Sequence, residues 1–220
     1  MVKAVIFDLD GLLIDSEIIS YRTDAELLKK YGYDFSIEEY AADYSGRTGI
    51  DNMNRMIERY HLPITNEEGR KFVKMREWEY VEQGIALKDG AEELLKFLKD
   101  HGCKVILASS STRERAQVTL TKDGVIDYFD DMVFGAEVAH GKPAPDIFLK
   151  ASEKVGEKPE DCLVLEDSEA GIQAAHAAGI PVICVPDMKT PGEQFQKMTW
   201  KMLSSLHDVV TVLENETSSL

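Results

Sequence analysis

Short, unbroken apolar runs recur along the chain at residues 4–7, 105–108, 132–134, 163–165 and 182–185, each rich in Val, Ile and Leu. A strand with one wet face alternates apolar and polar positions. A continuous run belongs to a strand covered on both faces, as in a parallel sheet. Helical patterns stand between most of the runs. Apolar positions at helical spacing over 92–99 stop at Gly102, a helix-ending residue. Ser111-Thr112-Arg113-Glu114 reads as a capping box that opens the next helix. Pro145 suits the first turn of a helix that ends near Gly156, and Ser168 caps another, through Ile172 and Ala175, that ends at Gly179. The alternation predicts an α/β fold with a doubly wound, Rossmann-like parallel sheet.

One region breaks the pattern. Between residues 16 and 83 no strand is apparent, and helical stretches are expected at 17–31, 37–44, 49–60 and 66–83. The first strand, expected over 2–7, is therefore followed by a helical insertion. The expected division is a catalytic core of residues 1–15 and 84–220, with a helical cap of 16–83 inserted after the first strand. Hinges are expected near 12–16 and 83–88. A short last strand at 200–203 and a closing helix complete the core, with 214–220 frayed.

Composition narrows the partners. The 220 residues are 44% hydrophobic and 30% charged, with a net charge of −15. So acidic a chain repels nucleic-acid phosphates and anionic lipid. It also repels a phosphate substrate, so a phosphate site here needs local cations. Cys103, Cys162 and Cys184 show no CxxC or Cys/His spacing, which argues against a disulfide framework or a zinc site. There is no signal-peptide pattern and no apolar run of membrane-spanning length. A cytoplasmic protein is expected, a monomer or weak dimer, acting on a small phosphorylated metabolite.

Four segments carry chemistry, each just beyond a predicted strand. Asp8-Leu9-Asp10-Gly11 sets two carboxylates one residue apart, where like charges repel and the apolar strand offers no compensation. Its bland reading is a solvated acidic turn. Ser109, Ser110 and Ser111 precede a helix start, a ready anion site. Gly141-Lys142-Pro143 places a lysine beside a stiff residue, suited to a phosphate oxygen. Glu166-Asp167-Ser168 ends another strand. In open parallel sheets ligands bind beyond the carboxyl ends of the strands, so all four should meet on one edge. Carboxylates without His or Cys favour a hard, oxygen-liking cation, Mg²⁺ above all. The cation and Lys142 together would let the acidic pocket hold a phosphate.

In this order and on these strand ends, Asp8–Gly11, Ser109, Lys142 and Glu166-Asp167 resemble the four motifs of the haloacid dehalogenase superfamily of phosphotransferases. The resemblance spans nearly the whole chain, and its nearest subgroup is that of β-phosphoglucomutase and small sugar-phosphate phosphatases. It implies Asp8 as a nucleophile that forms an aspartyl-phosphate, ionised at neutral pH without help. Asp10 is implied as acid and then base, with a raised pKa. Mg²⁺ would be held by the Asp8 carboxylate, the Asp10 carbonyl and Asp167, with Glu166 a further ligand or the partner of a metal-bound water. Ser109 and Lys142 would hold the phosphoryl oxygens, Ser110 would add its N–H, and Gly11 would permit the turn toward the cap. Dehalogenases of the superfamily lack the second aspartate, so Asp10 favours phosphoryl chemistry.

In the cap, Arg47 lies in Gly46-Arg47-Thr48-Gly49 and resembles the family's cap arginine. It either clamps a second phosphate or a sugar phosphate, or is a surface arginine at a helix start. Mutases of the subgroup carry a cap histidine where Ser20 stands here, which favours hydrolysis. The five histidines have no spaced partners, and Met53 and Met56 read as cap core. The leading expectation is a phosphatase for a small phosphomonoester, sugar phosphates included. The rivals are a β-phosphoglucomutase-like isomerase, an inorganic pyrophosphatase and, least, a non-catalytic sensor of a phosphorylated metabolite.

Overall fold

The computed structural model describes residues 2–217. Six parallel strands form one sheet: β1 (Ala4–Phe7), β2 (Lys104–Ser109), β3 (Asp131–Phe134), β4 (Cys162–Glu166), β5 (Val182–Cys184) and β6 (Lys201–Met202), in the order β3-β2-β1-β4-β5-β6. β1 lies at the centre, with Phe7 level with Leu107 on one side and Leu165 on the other. The first strand begins at Ala4 rather than at residue 2, since Lys3 is exposed at the sheet's rim and bonds its backbone to Asp161.

Both faces of the sheet are buried, which is why its strands read as unbroken apolar runs. Val5 and Phe7 point into one core with Leu94, Leu95 and Leu98 of α5 (Ala91–Asp100) and Val209 of α10 (Leu206–Thr217). Ala4 and Ile6 point into the other, with Phe148 and Ala151 of α7 (Asp146–Val155) and Ile172 and Ala175 of α8 (Glu169–Ala177). Each such aliphatic or aromatic side chain contributes roughly 1.5–3 kcal/mol by leaving water. The remaining core helices are the short α9 (Glu193–Gln196) and α6 (Arg113–Lys122), the latter capped by Thr112, whose hydroxyl accepts from the Arg115 N–H. The expected capping box headed by Ser111 is thus corrected: the Ser111 hydroxyl is taken by Asp10 instead.

Residues 16–83 form four helices: α1 (Ser16–Lys30), α2 (Ile37–Asp43), α3 (Gly49–Tyr60) and α4 (Asn66–Gln83). Ser36, Thr48 and Thr65 cap the last three, and Thr65 forms a full capping box with Glu68. These helices own a separate core of Leu28, Phe35, Tyr40, Tyr44, Met56 and Leu62. Phe35 meets the edges of Tyr40, Tyr44 and Tyr60, an arrangement that adds to simple area burial. The chain leaves and re-enters the sheet layer side by side. The Asp15 N–H donates to Ala86 and the Lys88 N–H to Leu13, both at 2.9 Å, around a bridge between Ile14 and Leu87. A last helix, α10, continues to Thr217 through residues expected to fray, and 218–220 lie outside the described residues.

Candidate active site

The carboxyl ends of β1, β2 and β4 are adjacent, so segments 100 residues apart in sequence meet there. Asp8 follows β1 with its backbone N–H donating to Leu165 of β4. Its side chain is buried, and Lys142 donates a short hydrogen bond to its Oδ1. Lys142 also reaches Glu166 Oε1 at 2.6 Å. Glu166 is fully buried, and its other oxygen accepts from the N–H groups of Asp167 and Ser168 and from the Ser168 hydroxyl, at 2.9–3.0 Å. Both oxygens of Glu166 are therefore engaged. Helix α8 approaches closely enough that any side chain at Gly171 would overlap this carboxylate.

Electrostatics here differ from the expectation that Asp8 ionises unaided. Burial, only partly offset by Lys142 and reinforced by Glu166 and Asp10, lifts Asp8 to about 7. Asp167 is raised well above the usual carboxylate range by burial and by Glu166, Asp8 and Asp187. Burial would depress Lys142, yet Asp8 and Glu166 hold its ammonium charged, above its ordinary value. The pocket carries more negative charge than one lysine offsets.

Asp10 also departs from expectation. Burial would raise it, but Arg115, Ser111 and Ser16 outweigh burial and lower its pKa. Arg115 Nη1 donates to Asp10 Oδ1 at 2.7 Å and the Ser111 hydroxyl to Oδ2 at 2.6 Å. Arg115 also sits 3.0 Å from Glu77 of α4, and so joins Asp10 to the inserted helices. Ser109, at the end of β2, is buried, with its Oγ accepting from the Ser111 N–H at 3.0 Å; Ser110 is exposed beside it.

Gly11 adopts a φ of 80°, open to glycine and strained for other residues. A Cβ there would lie 2.5 Å from Asp167 Oδ2 and 3.2 Å from Asp187 Oδ2. Two carboxylates thus converge over the bare backbone at residue 11. Asp187 accepts from Lys88 at 2.7 Å through one oxygen, while its Oδ2 is buried without a partner. Among the described residues no three acidic, His or Cys side chains close on one point as a finished metal cage. The donor set nonetheless fits a hard divalent cation. It is all oxygen, its negative charge is undercompensated, and one of its buried oxygens is orphaned.

Sequence reasoning missed Asp187, Arg115 and the hydrogen bond of Ser111. Asp187 follows the apolar run at 182–185, so the rule that found the other carboxylates applied to it as well. Arg115 gave no signal, since a helix-start arginine usually faces solvent.

A cavity of about 930 Å³ opens between the core and residues 16–83; Asp8, Lys142 and Asp167 do not line it, and it adjoins them through Ser111 and Arg115, the partners of Asp10. Glu17, Ser20, Asp24, Tyr40 and Asn52 line it from the helical side, Ser110, Ser111 and Arg115 from the sheet side. Arg47 also lines it; the residue is exposed, and its Nε donates to the Asp43 carbonyl at 2.9 Å. His140 is exposed, beside Asp146, and is not among the lining residues.

A family model described as haloacid dehalogenase-like hydrolase matches residues 2–179. Among curated proteins, one from Drosophila melanogaster described as "Probable pseudouridine-5'-phosphatase" is 36% identical over 211 residues, covering 92% of this chain and 89% of its own. The phosphorylated carbohydrates phosphatase of Thermotoga maritima is 32% identical over 178 residues, covering 81% of this chain and 82% of its own. Among solved structures, CbbY from Rhodobacter sphaeroides in complex with phosphate superposes with a TM-score of 0.76 at 26% identity, covering 95% of this chain and 96% of that one.

Proposed function

The chain belongs to the haloacid dehalogenase-like hydrolases, and on that premise we propose that it is a Mg²⁺-dependent phosphatase that hydrolyses a small phosphomonoester through a phosphorylated Asp8. The observation that carries this reading is the buried Lys142 bridging Asp8 and Glu166 beside Asp167. The relatives named for pseudouridine-5'-phosphatase and phosphorylated carbohydrates phosphatase activities point to the same substrate size.

Lys142 binds Asp8 through Oδ1, which leaves Oδ2 without a hydrogen bond and available as the attacking atom. In the first half-reaction that oxygen bonds to phosphorus as the ester P–O bond breaks, and the leaving oxygen takes a proton from Asp10. In the second, water attacks phosphorus, gives a proton to Asp10, and the bond from Asp8 to phosphorus breaks to release phosphate. Lys142, the Ser109 hydroxyl and the Ser110 N–H hold the non-bridging oxygens, where charge accumulates. Glu166, with both oxygens engaged, fixes Lys142 and the start of α8.

Asp8, Asp167 and the Asp10 carbonyl would hold Mg²⁺, with Asp187 behind them. The ion would supply positive charge to the carboxylates and the phosphoryl group. Asp10, paired to Arg115, suits the base half of the cycle. Its acid half requires the carboxyl to leave Arg115. Arg115 also contacts Glu77, so this exchange accompanies movement of the helical cap, residues 16–83, relative to the core.

Release of inorganic phosphate from a panel of phosphate esters tests the reading. Turnover of several monoesters in Mg²⁺ is expected. Conversion of β-glucose 1-phosphate to glucose 6-phosphate without free phosphate would show a mutase instead. Ser20, where mutases of the family carry histidine, lines the cavity and favours water as the acceptor.

A further inference from the structure

The segment beyond β5 touches three parts of the molecule within four residues. Val185 is buried, and its N–H donates to the Glu166 carbonyl at 2.8 Å, which fixes the segment beside the end of β4. Pro186 follows, and its ring sets the backbone φ. From this stiff base Asp187 and Met188 reach different neighbours.

Asp187 has 8% of its side chain exposed and divides its two oxygens. Oδ1 accepts from Lys88 at 2.7 Å. Oδ2, buried without a partner, lies with Asp167 Oδ2 around the bare backbone of Gly11, where the proposed Mg²⁺ ligands gather. Met188 packs against the separate core of the inserted helices, that of Leu28, Phe35, Tyr40 and Tyr44. Lys88 lies where the chain returns from those helices, with its N–H bonded to Leu13. Its ammonium also stands 3.9 Å from Asp15, where the chain leaves for them. Exit and return of the inserted helices thus share one ammonium with a carboxylate of the acidic cluster.

We propose that Lys88, Asp187 and Met188 are positioning residues that couple cation binding at the acidic cluster to the seat of the inserted helices on the core. This rests on the Mg²⁺-dependent reading above. A ligand shifts a conformational equilibrium only when it interacts differently with the two states. The Asp187 carboxylate supplies that difference. A cation beside Gly11 attracts Oδ2, and the same carboxylate holds Lys88 at the return of the chain and carries Met188 as its neighbour in sequence. Coupling is reciprocal, so a change in the seat of the helices alters cation affinity by the same factor. An exposed ion pair would transmit little of this, because solvent screens it. Here the carboxylate is nearly buried and 27% of the lysine side chain is exposed.

The two tryptophans give the test its probe. Trp78 of α4 lines the cavity and packs against the core on the Val5 and Phe7 face of the sheet, so its emission reports the seat of the inserted helices. Trp200→Phe removes the other signal. In this parent, without substrate, Mg²⁺ binding is measured by calorimetry and Trp78 emission is followed over the same titration. An emission change that saturates with binding is expected. Lys88→Met and Met188→Ala should each still bind Mg²⁺ and lose the change, while Lys88→Arg and Met188→Leu keep it. Urea unfolding shows which variants fold, and either of the first two decides the matter alone. Steady emission in the parent while Mg²⁺ binds, or an unaltered change in folded Lys88→Met or Met188→Ala, overturns the coupling and leaves the phosphatase reading standing. No calorimetric binding in the parent strikes the Mg²⁺ reading itself, and the coupling with it.

Discussion

Arg115 holds Asp10 at 2.7 Å, and its guanidinium is almost wholly shielded from solvent, with 12% of the side chain exposed. The same guanidinium meets Glu77, so one buried cation is shared by a proposed catalytic acid and α4 of the inserted helices. Replacing it strands two carboxylates. Arg115→Met is expected to cost about 2–4 kcal/mol of stability. A double-mutant cycle with Glu77→Gln, followed by urea unfolding, should return a coupling of roughly 0.5–3 kcal/mol. Strict additivity would dissolve the link between cap and core.

Asp8→Asn should abolish turnover, by about 10³-fold or more, while the unfolding transition stays cooperative. The amide keeps the volume of the carboxyl, and Lys142 keeps Glu166 as its partner. Phosphate release near the wild-type rate would remove Asp8 as nucleophile.

Chelation by EDTA should reduce phosphate release to background, and added Mg²⁺ should restore it. Asp187→Ala is expected to raise the Mg²⁺ concentration needed for half-maximal activity by about tenfold, because groups behind metal ligands tune affinity on that scale. Full activity in excess EDTA would contradict the reading of the carboxylate cluster.

Much of this arrangement is legible in the sequence. The five apolar runs announce a sheet buried on both faces, and the chemistry follows from where each run ends. The rest needed three dimensions. Asp8 looked like an ordinary carboxylate because nothing in a string of letters reports that β2 and β4 close over it. Asp10 looked like a group with a raised pKa because its nearest cation, Arg115, is 105 residues away. Ser111 looked like a helix cap, yet Thr112 took that role and freed its hydroxyl for Asp10. Pairings between distant segments carry no periodic signature, so only the fold reveals them.

The buried carboxyl of Asp24 gives a pH dependence to stability. Glu17 on its own helix, Glu77 on α4 and the Tyr40 hydroxyl on α2 face it, and burial dominates. Its folded pKa, about 8, lies above the roughly 3.9 of an unfolded aspartate. Between those values the folded state binds the extra proton, so this contribution to stability is full below about pH 4 and declines toward pH 8. Asp24→Asn removes that decline. The variant should gain on the wild type steadily from pH 5 to 8 in urea-unfolding midpoints, by a total on the order of a few kcal/mol at most. Parallel profiles across that range would show that Asp24 does not hold a proton in the folded state.

The paired backbone bonds at Asp15–Ala86 and Leu13–Lys88 close the base of the inserted helices like a zipper pull, with exit and return on the same small patch of the layer. The strands β1, β2 and β4 are paired below that seam without any residue of 16–83 in their ladders. A different set of helices sewn in above it would alter what meets the cavity, provided it kept a carboxylate where Glu77 holds Arg115 beside Asp10.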